Sequence, residues 1–226
     1  MKRKPAPHAK SSPILLVDDH PIVREGLARV ISEEPDLTVC GQAGTSAEAL
    51  ALVAALRPAL VIVDVTLGDA SGLELLKELR ARQPELPVLV LSMHHETQYA
   101  ERALRAGASG YIMKQAPPQE LVTAIRQALR GEVYLSPAMT RQALASVARL
   151  KPQDRRSPVE RLSDRELEVF ELIGRGHRPR VIAEKLRLSV KTIEYHNGNI
   201  KRKLGLANAD ELRQQAIVWT QNEPRQ

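Results

Sequence analysis

Three aspartates, a serine and a lysine are the residues of this chain whose types and spacing could do chemistry together. One apolar run ends in Val17-Asp18-Asp19-His20 and another in Val63-Asp64-Val65; Ser92 closes a third, and Lys114 follows a fourth. Gathering three carboxylates in one pocket is costly without a cation, and oxygen donors with room for waters suit Mg2+. A carboxylate nucleophile, a divalent cation, a hydroxyl and an ammonium together make a site that accepts a phosphoryl group, the cations balancing charge on its oxygens. Taken singly, Asp18 and Asp19 would do no more than cap the helix that Pro21 opens. Five positions at the ends of four apolar runs argue for the site.

The elements that must position them follow from periodicity. From Ile14 to Arg130 short apolar runs alternate with segments of helical period. The runs are Ile14 to Val17, Leu37 to Cys40, Leu60 to Val63, Val88 to Leu91 and Ser109 to Met113. Helices are predicted at about 21–33, 46–56, 71–83, 96–106 and 117–130. Five such βα units imply an α/β domain with a parallel sheet and right-handed crossovers, whose ligand site lies at the carboxyl ends of the strands. All five chemical positions fall at that edge. His94 and His95 are adjacent and point in different directions, so they are read as a loop rather than a metal site, and His20 is expected to flank the pocket without ligating Mg2+.

Across roughly residues 13 to 131 these residues resemble the receiver-domain family, whose fold is flavodoxin-like. The resemblance implies that Asp64 is the phosphoacceptor and that Asp19 ligates Mg2+ directly. Asp18 would act largely through water, and the backbone carbonyl of Thr66 would complete the metal site. Ser92 would hydrogen-bond the phosphoryl oxygens, Lys114 would pair with them, and Tyr111 would be the aromatic that turns inward on activation. One departure lies in the loop after the acceptor, where Gly68 stands in place of the family's usual proline and frees the backbone.

Composition bounds the rest. With 226 residues, 43% hydrophobic and 27% charged, the chain is globular and large enough for two modest domains. Cys40 is the only cysteine, so no intramolecular disulfide can form; its apolar surroundings predict a small buried hydrophobe, and a cytoplasmic setting fits. No apolar stretch approaches the ~18 residues of a membrane span, and the opening MKRKPAPHAKSSP carries basic residues without the apolar core of a signal peptide. Residues 1–12 are therefore expected to be a disordered basic tail. Charge is uneven: residues 1–135 hold 15 Lys and Arg against 16 Asp and Glu, whereas 136–226 hold 18 against 11. The surplus positive charge thus sits in the C-terminal part, where it favours a polyanion such as nucleic acid.

Residues 132–159 read as a linker, with a helix-compatible stretch at Met139 to Leu150 and then the polar, proline-bracketed segment Lys151 to Pro158. Residues 160–226 are predicted to be all helical. Ser163 and Glu166 form a capping box ahead of an apolar face of Leu167, Phe170 and Ile173, and Gly174 and Gly176 are expected to end that helix. A second helix at about Pro179 to Leu186 buries Ile182, Ala183 and Leu186. A short turn leads to a third at about Val190 to Leu204, facing the core through Ile193, Ile200 and Leu204, with His196 or Asn197 between. Its opposite face holds Lys191, Glu194, Tyr195, Gly198, Lys201 and Arg202, which suits insertion into a major groove. Lys191, Tyr195 and Arg202 are expected at base edges, Arg180, Lys201 and Lys203 at phosphates, and Thr192 is counted with the DNA-facing set. A fourth helix, at about Asn208 to Gln221, places Leu212, Ala216 and Trp219 on one side.

From Leu162 through about Leu212 the sequence resembles the helix-turn-helix of the LuxR/NarL group, with matches at Glu166, Gly176, Ala183, Leu186, Ser189, Thr192, His196, Asn199, Ile200, Lys203, Leu204 and Gly205. Glu194 departs from a common lysine on the reading face; it repels phosphate but can accept a hydrogen bond from cytosine N4. Ala209 and Val181 stand where arginine and glutamate are frequent. The resemblance implies that the fourth helix pairs two copies, so the active form would be a homodimer on inverted half-sites of double-stranded DNA. The whole chain then resembles a two-component response regulator of the NarL/FixJ type, taking its phosphate from a sensor histidine kinase and having no membrane partner. An alternative keeps the DNA-binding half but makes the receiver unresponsive to phosphate, with Gly68 as its only support. A doubly wound hydrolase or flavoprotein is disfavoured because Val65-Thr66 follows Asp64, without the second aspartate of haloacid-type phosphatases, and no Gly-rich or Ser/Thr-rich phosphate loop follows the first run; the chain is read as no enzyme.

Overall fold

The computed structural model describes residues 11–68, 70–93, 96–141 and 158–221. The basic tail before Ser11, Asp69, His94 and His95, and most of the expected linker therefore lie outside the described residues. The chain divides into two compact units, with the main break between Ser136 and Pro137.

The first unit is a parallel five-stranded sheet in the order β2-β1-β3-β4-β5, built from β1 (Ser12–Val17), β2 (Leu37–Ala43), β3 (Leu60–Asp64), β4 (Val88–Ser92) and β5 (Gly110–Met113). Helices α1 (Pro21–Ser32), α2 (Ser46–Leu56), α3 (Gly72–Arg82), α4 (Glu96–Arg105) and α5 (Pro118–Leu129) alternate with the strands. Every residue of β3 and β4 is buried, as continuous apolar runs covered on both faces must be. Local chemistry sets the helix ends. Pro21 and Pro118 open α1 and α5, where a missing N–H costs nothing. The Thr45 hydroxyl accepts from the Glu48 N–H at the start of α2, and Arg57 stops that helix in the left-handed region at φ 49°.

Two sequence expectations change here. Cys40 is half-buried, not a core residue: the β1–β2 register slips between Ile14 and Leu15, leaving Cys40 in an irregularity of an edge strand with its thiol 3.4 Å from the Ile14 carbonyl. Burial pushes that thiol's pKa up. Tyr134, placed in the linker by composition, is buried; it bridges Gly110 in parallel fashion and donates its hydroxyl to Glu120 at 3.3 Å. Burial, with the Glu120 charge, raises the Tyr134 pKa to about 12.

The second unit is helical: a 3-10 turn (Pro158–Arg161), α6 (Asp164–Gly174), α7 (Pro179–Lys185), α8 (Val190–Leu204) and α9 (Ala209–Gln221). Its core is built from Leu167, Phe170, Ile182, Ile193, Ile200 and Leu212, all buried, and the Trp219 ring lies 5.6 Å from that of Phe170. The capping box at α6 forms in full, Ser163 N–H donating to Glu166 Oε2 at 2.7 Å and Glu166 N–H to Ser163 Oγ at 3.3 Å. Gly174, however, does not terminate α6 through its backbone. It is the last residue of the helix, and its missing Cβ leaves room for α9: a methyl there would collide with the Ala216 carbonyl and sit 2.6 Å from Thr220 Cγ2. The left-handed residue is Gly176, at φ 83°.

Candidate functional site

Strand order fixes the site. The chain leaves β1 toward β2 on one side and returns to β3 on the other, so the carboxyl ends of β1 and β3 flank the switch point where a doubly wound sheet opens a crevice. Asp18 follows β1, Asp64 ends β3, Ser92 ends β4 and Lys114 follows β5, its N–H held by the Ser92 carbonyl at 2.7 Å. One ligand atom from each of Asp18, Asp19, His20 and Asp64 can be chosen so that all lie within 4.8 Å of one another.

The carboxylates of this cluster are almost wholly buried. Asp18 is 2% exposed and Asp64 4%, and the Lys114 side chain 9%. Lys114 Nζ donates to Asp64 Oδ2 at 2.7 Å and lies 2.6 Å from Asp18 Oδ2, so one ammonium bridges two strand ends. Burial pushes the Lys114 pKa down, but Asp64 and Asp18 outweigh it and hold the ammonium above its ordinary value. Ser92 is wholly buried, and Thr66 lies on the loop after Asp64, bridged to Ser71. Tyr111 is also wholly buried, so the inward swing expected on activation has no outward starting point in this structure.

His20 lies at the rim of the pocket, against Asp18 and Asp19. Its N–H donates to Asp18 Oδ1 at 2.8 Å, and Nδ1 lies 2.7 Å from Asp19 Oδ1 while the ring stays 64% exposed. Arg24, which the sequence did not single out, donates to the Asp18 carbonyl from the first turns of α1. Both follow from Pro21: it fixes the start of α1, making His20 the N-cap and aiming the first turn back over the aspartates. As donors for an ion, three carboxylates present hard oxygens at short mutual distance, a set that fits Mg2+. Gly68 is not among the glycines with positive φ, so its backbone conformation does not itself demand glycine.

The second candidate surface is the outer face of α8. Ser189 caps the helix, its hydroxyl accepting from Thr192 N–H at 3.0 Å and lying 2.8 Å from Thr192 Oγ1, and Gly205 closes it at φ 71°. Lys191, Glu194, Tyr195, Gly198 and Arg202 are exposed and Lys201 is half-buried. Arg202 donates to Asn199 at 2.8 Å, and Arg180 on α7 is 86% exposed, 3.4 Å from Glu184. Lys203 departs from the expected phosphate role. Its ammonium is 2.5 Å from Glu166 Oε2, so it faces the start of α6 and completes the capping box with a charge.

Among the described residues no helix is long and apolar enough to cross a membrane. Residues 14–126 match the family described as "Response regulator receiver domain", and residues 160–219 match "Bacterial regulatory proteins, luxR family". The chain is 37% identical to response regulator GacA of Pseudomonas aeruginosa over 88% of its own length and 92% of that protein's. It is 33% identical to the nitrate/nitrite response regulator protein NarL of Escherichia coli over 93% of its length and 95% of that protein's. Among solved structures it is similar to response regulator ChrA of a heme-sensing two-component system, with a TM-score of 0.50, 30% identity and coverage of 94% of this chain and 98% of that one. It is also similar to RcsB of Salmonella enterica serovar Typhimurium bound to promoter rprA with phosphomimetic BeF3−, at TM-score 0.60, 25% identity and coverage of 91% and 98%. With both family matches in this order and relatives alike across nearly their whole length, the chain belongs to the NarL/FixJ family of two-component response regulators, transcriptional regulators that join a receiver to a LuxR-type helix-turn-helix.

Proposed function

We propose that this regulator is switched by phosphoryl transfer from a sensor histidine kinase to Asp64. The observation that carries the reading is the Lys114 ammonium set between Asp64 and Asp18 at the buried edge of the sheet. In the transfer, an Asp64 carboxylate oxygen attacks the phosphorus of a phosphohistidine; a P–O bond forms, the P–N bond breaks, and the imidazole leaves and regains its proton. Asp18, Asp19, Asp64 and the Thr66 backbone carbonyl would hold Mg2+, which when bound offsets charge on the phosphoryl oxygens. Lys114 turns from the carboxylate to those oxygens, and the Ser92 hydroxyl hydrogen-bonds them. Tyr111, on the strand paired with β4, fixes the α4–β5 face in its repacked arrangement.

In this reading residues 1–12 are a tail, 13–131 the receiver, 132–159 a linker whose first residues pack on the receiver through Tyr134, and 160–226 the DNA-binding domain. The chain has no separate enzymatic role and works in the cytoplasm. Two copies pair through α9, where Val218 is exposed, and place two α8 helices in successive major grooves of inverted half-sites. Lys191, Tyr195 and Arg202 reach base edges, with Thr192 beside them, and Arg180 and Lys201 hold phosphates. The phosphate-independent alternative rests on Gly68 alone and has no further support.

The test is electrophoresis in a phosphate-binding gel after incubation with Mg2+ and acetyl phosphate. The expected result is a retarded band that Asp64→Ala abolishes. A band that persists in the variant would place the phosphate elsewhere, and no shift in either protein would overturn the reading.

A further inference from the structure

The outer face of α8 carries one charge of the wrong sign. Glu194 is exposed, forms no hydrogen bond or ion pair among the described residues, and sits between the cations Lys191 and Lys201 on the face that a duplex would meet. The position one turn on, where a lysine would neutralise it, is Gly198, and a Cβ built there meets nothing within 4 Å. The carboxylate is thus not tied to its own helix by a hydrogen bond or ion pair, and the glycine leaves a notch beside it through which a base edge can approach. Beside it, Tyr195 is 67% exposed, its ring edge-on to His196 at 5.8 Å.

An unpaired carboxylate pressed against DNA repels every phosphate and every acceptor in the groove. It is favourable only opposite a donor that points outward. In the major groove guanine presents N7 and O6 acceptors and thymine an O4 acceptor, whereas cytosine presents its N4 amino group. Adenine also offers a donor, but with the N7 acceptor beside it, which an amide side chain satisfies and a carboxylate does not. We propose, resting on the DNA-binding reading above, that Glu194 is a further specificity-determining residue of α8 and reads the N4 amino group of one cytosine in each half-site. It acts as much by rejecting other bases as by binding this one.

The experiment is selection of bound duplexes from a randomised pool by the full chain treated with Mg2+ and acetyl phosphate, followed by binding measurements on the selected site. One position per half-site should be fixed as cytosine. Replacing that base with N4-methylcytosine, which keeps the base pair but removes the outward N–H, should weaken binding by roughly tenfold or more. Glu194→Ala should lose the cytosine preference while binding unselected DNA at least as well as the parent, because the repulsion is gone; a residue needed only for folding would weaken both. If Glu194→Ala keeps the same fixed cytosine, or the N4-methyl substitution has no effect, the inference fails while DNA binding stands. If no duplex is retained even at low salt, the DNA-binding reading fails with it.

Discussion

Charged residues do opposite things in the two halves of this chain. At the sheet edge Asp18, Asp64 and Lys114 are almost wholly out of water, and the Lys114 ammonium lies within 3 Å of both carboxylates. On α8, Lys191 and Glu194 stand exposed without partners on the helix. In the first setting low dielectric makes each interaction strong and each vacancy costly, so the site is sensitive to a single added charge such as a phosphoryl group. In the second, charges act through solvent on a partner that is not yet there, and their value appears only on binding. One pocket stores electrostatic energy, and the other surface presents it.

The sharpest way to break that contrast is to remove a cation from each side. Lys114→Met should lower the unfolding free energy by about 3 kcal/mol in a chelating buffer, because it strands two buried carboxylates. Added Mg2+ should restore part of the loss. Lys191→Met should change stability by less than about 0.5 kcal/mol. Urea titrations followed by circular dichroism, with and without Mg2+, check both, and equal effects would mean that the pocket is far wetter than its geometry states.

A smaller effect separates two cations that look alike in the sequence. Lys203 and Arg180 were both expected at phosphates, but Lys203 is bound to Glu166 whereas Arg180 is 86% exposed. Arg180→Gln should reduce the salt dependence of DNA binding by about one phosphate contact and leave stability unchanged. Lys203→Gln should do the reverse, costing about 1 kcal/mol with the salt slope intact. Trp219, the only tryptophan, lies against Phe170 and reports unfolding of this unit alone.

That pair also marks where sequence reading stops. Elements with strong local signals were legible nearly to the residue: α2 runs from its Thr45 cap to Leu56, and α8 from its Ser189 cap to Gly205. The five strand-end positions were legible because a parallel sheet forces every strand to deliver its last residue to one edge. What depends on two elements meeting was not. Strand β2 reaches Ala43, beyond its apolar run, because its ladder with β1 continues; Cys40 falls out of the core at a register slip. Lys203 and Gly174 carry no local mark of the helices they face, and the contacts of His20 with Asp18 and Asp19 depend on Pro21 fixing the entry of α1.

The smallest expected effect belongs to a pair with one buried and one partly exposed charge, Glu166 and Lys203. Burial raises the Glu166 pKa, but Lys203 and the Ser163 N–H outweigh it, so the folded carboxyl titrates below its ordinary 4.5. A depressed carboxyl adds stability that is complete above the unfolded value and is lost as pH falls through the folded one. Trp219 fluorescence melts should therefore show this unit losing stability below about pH 4.5, by an amount on the order of 1 kcal/mol shared with the cap. Glu166→Gln should start from lower stability at pH 7 and lose less of it on acidification, since its amide can still accept from Ser163 but has no proton to gain. A variant curve parallel to that of the parent would show that the link from Lys203 to the α6 cap carries no net energy. The half-buried ion pair would then behave as the exposed charges of α8 do, and the boundary between the two electrostatic regimes would run through Glu166.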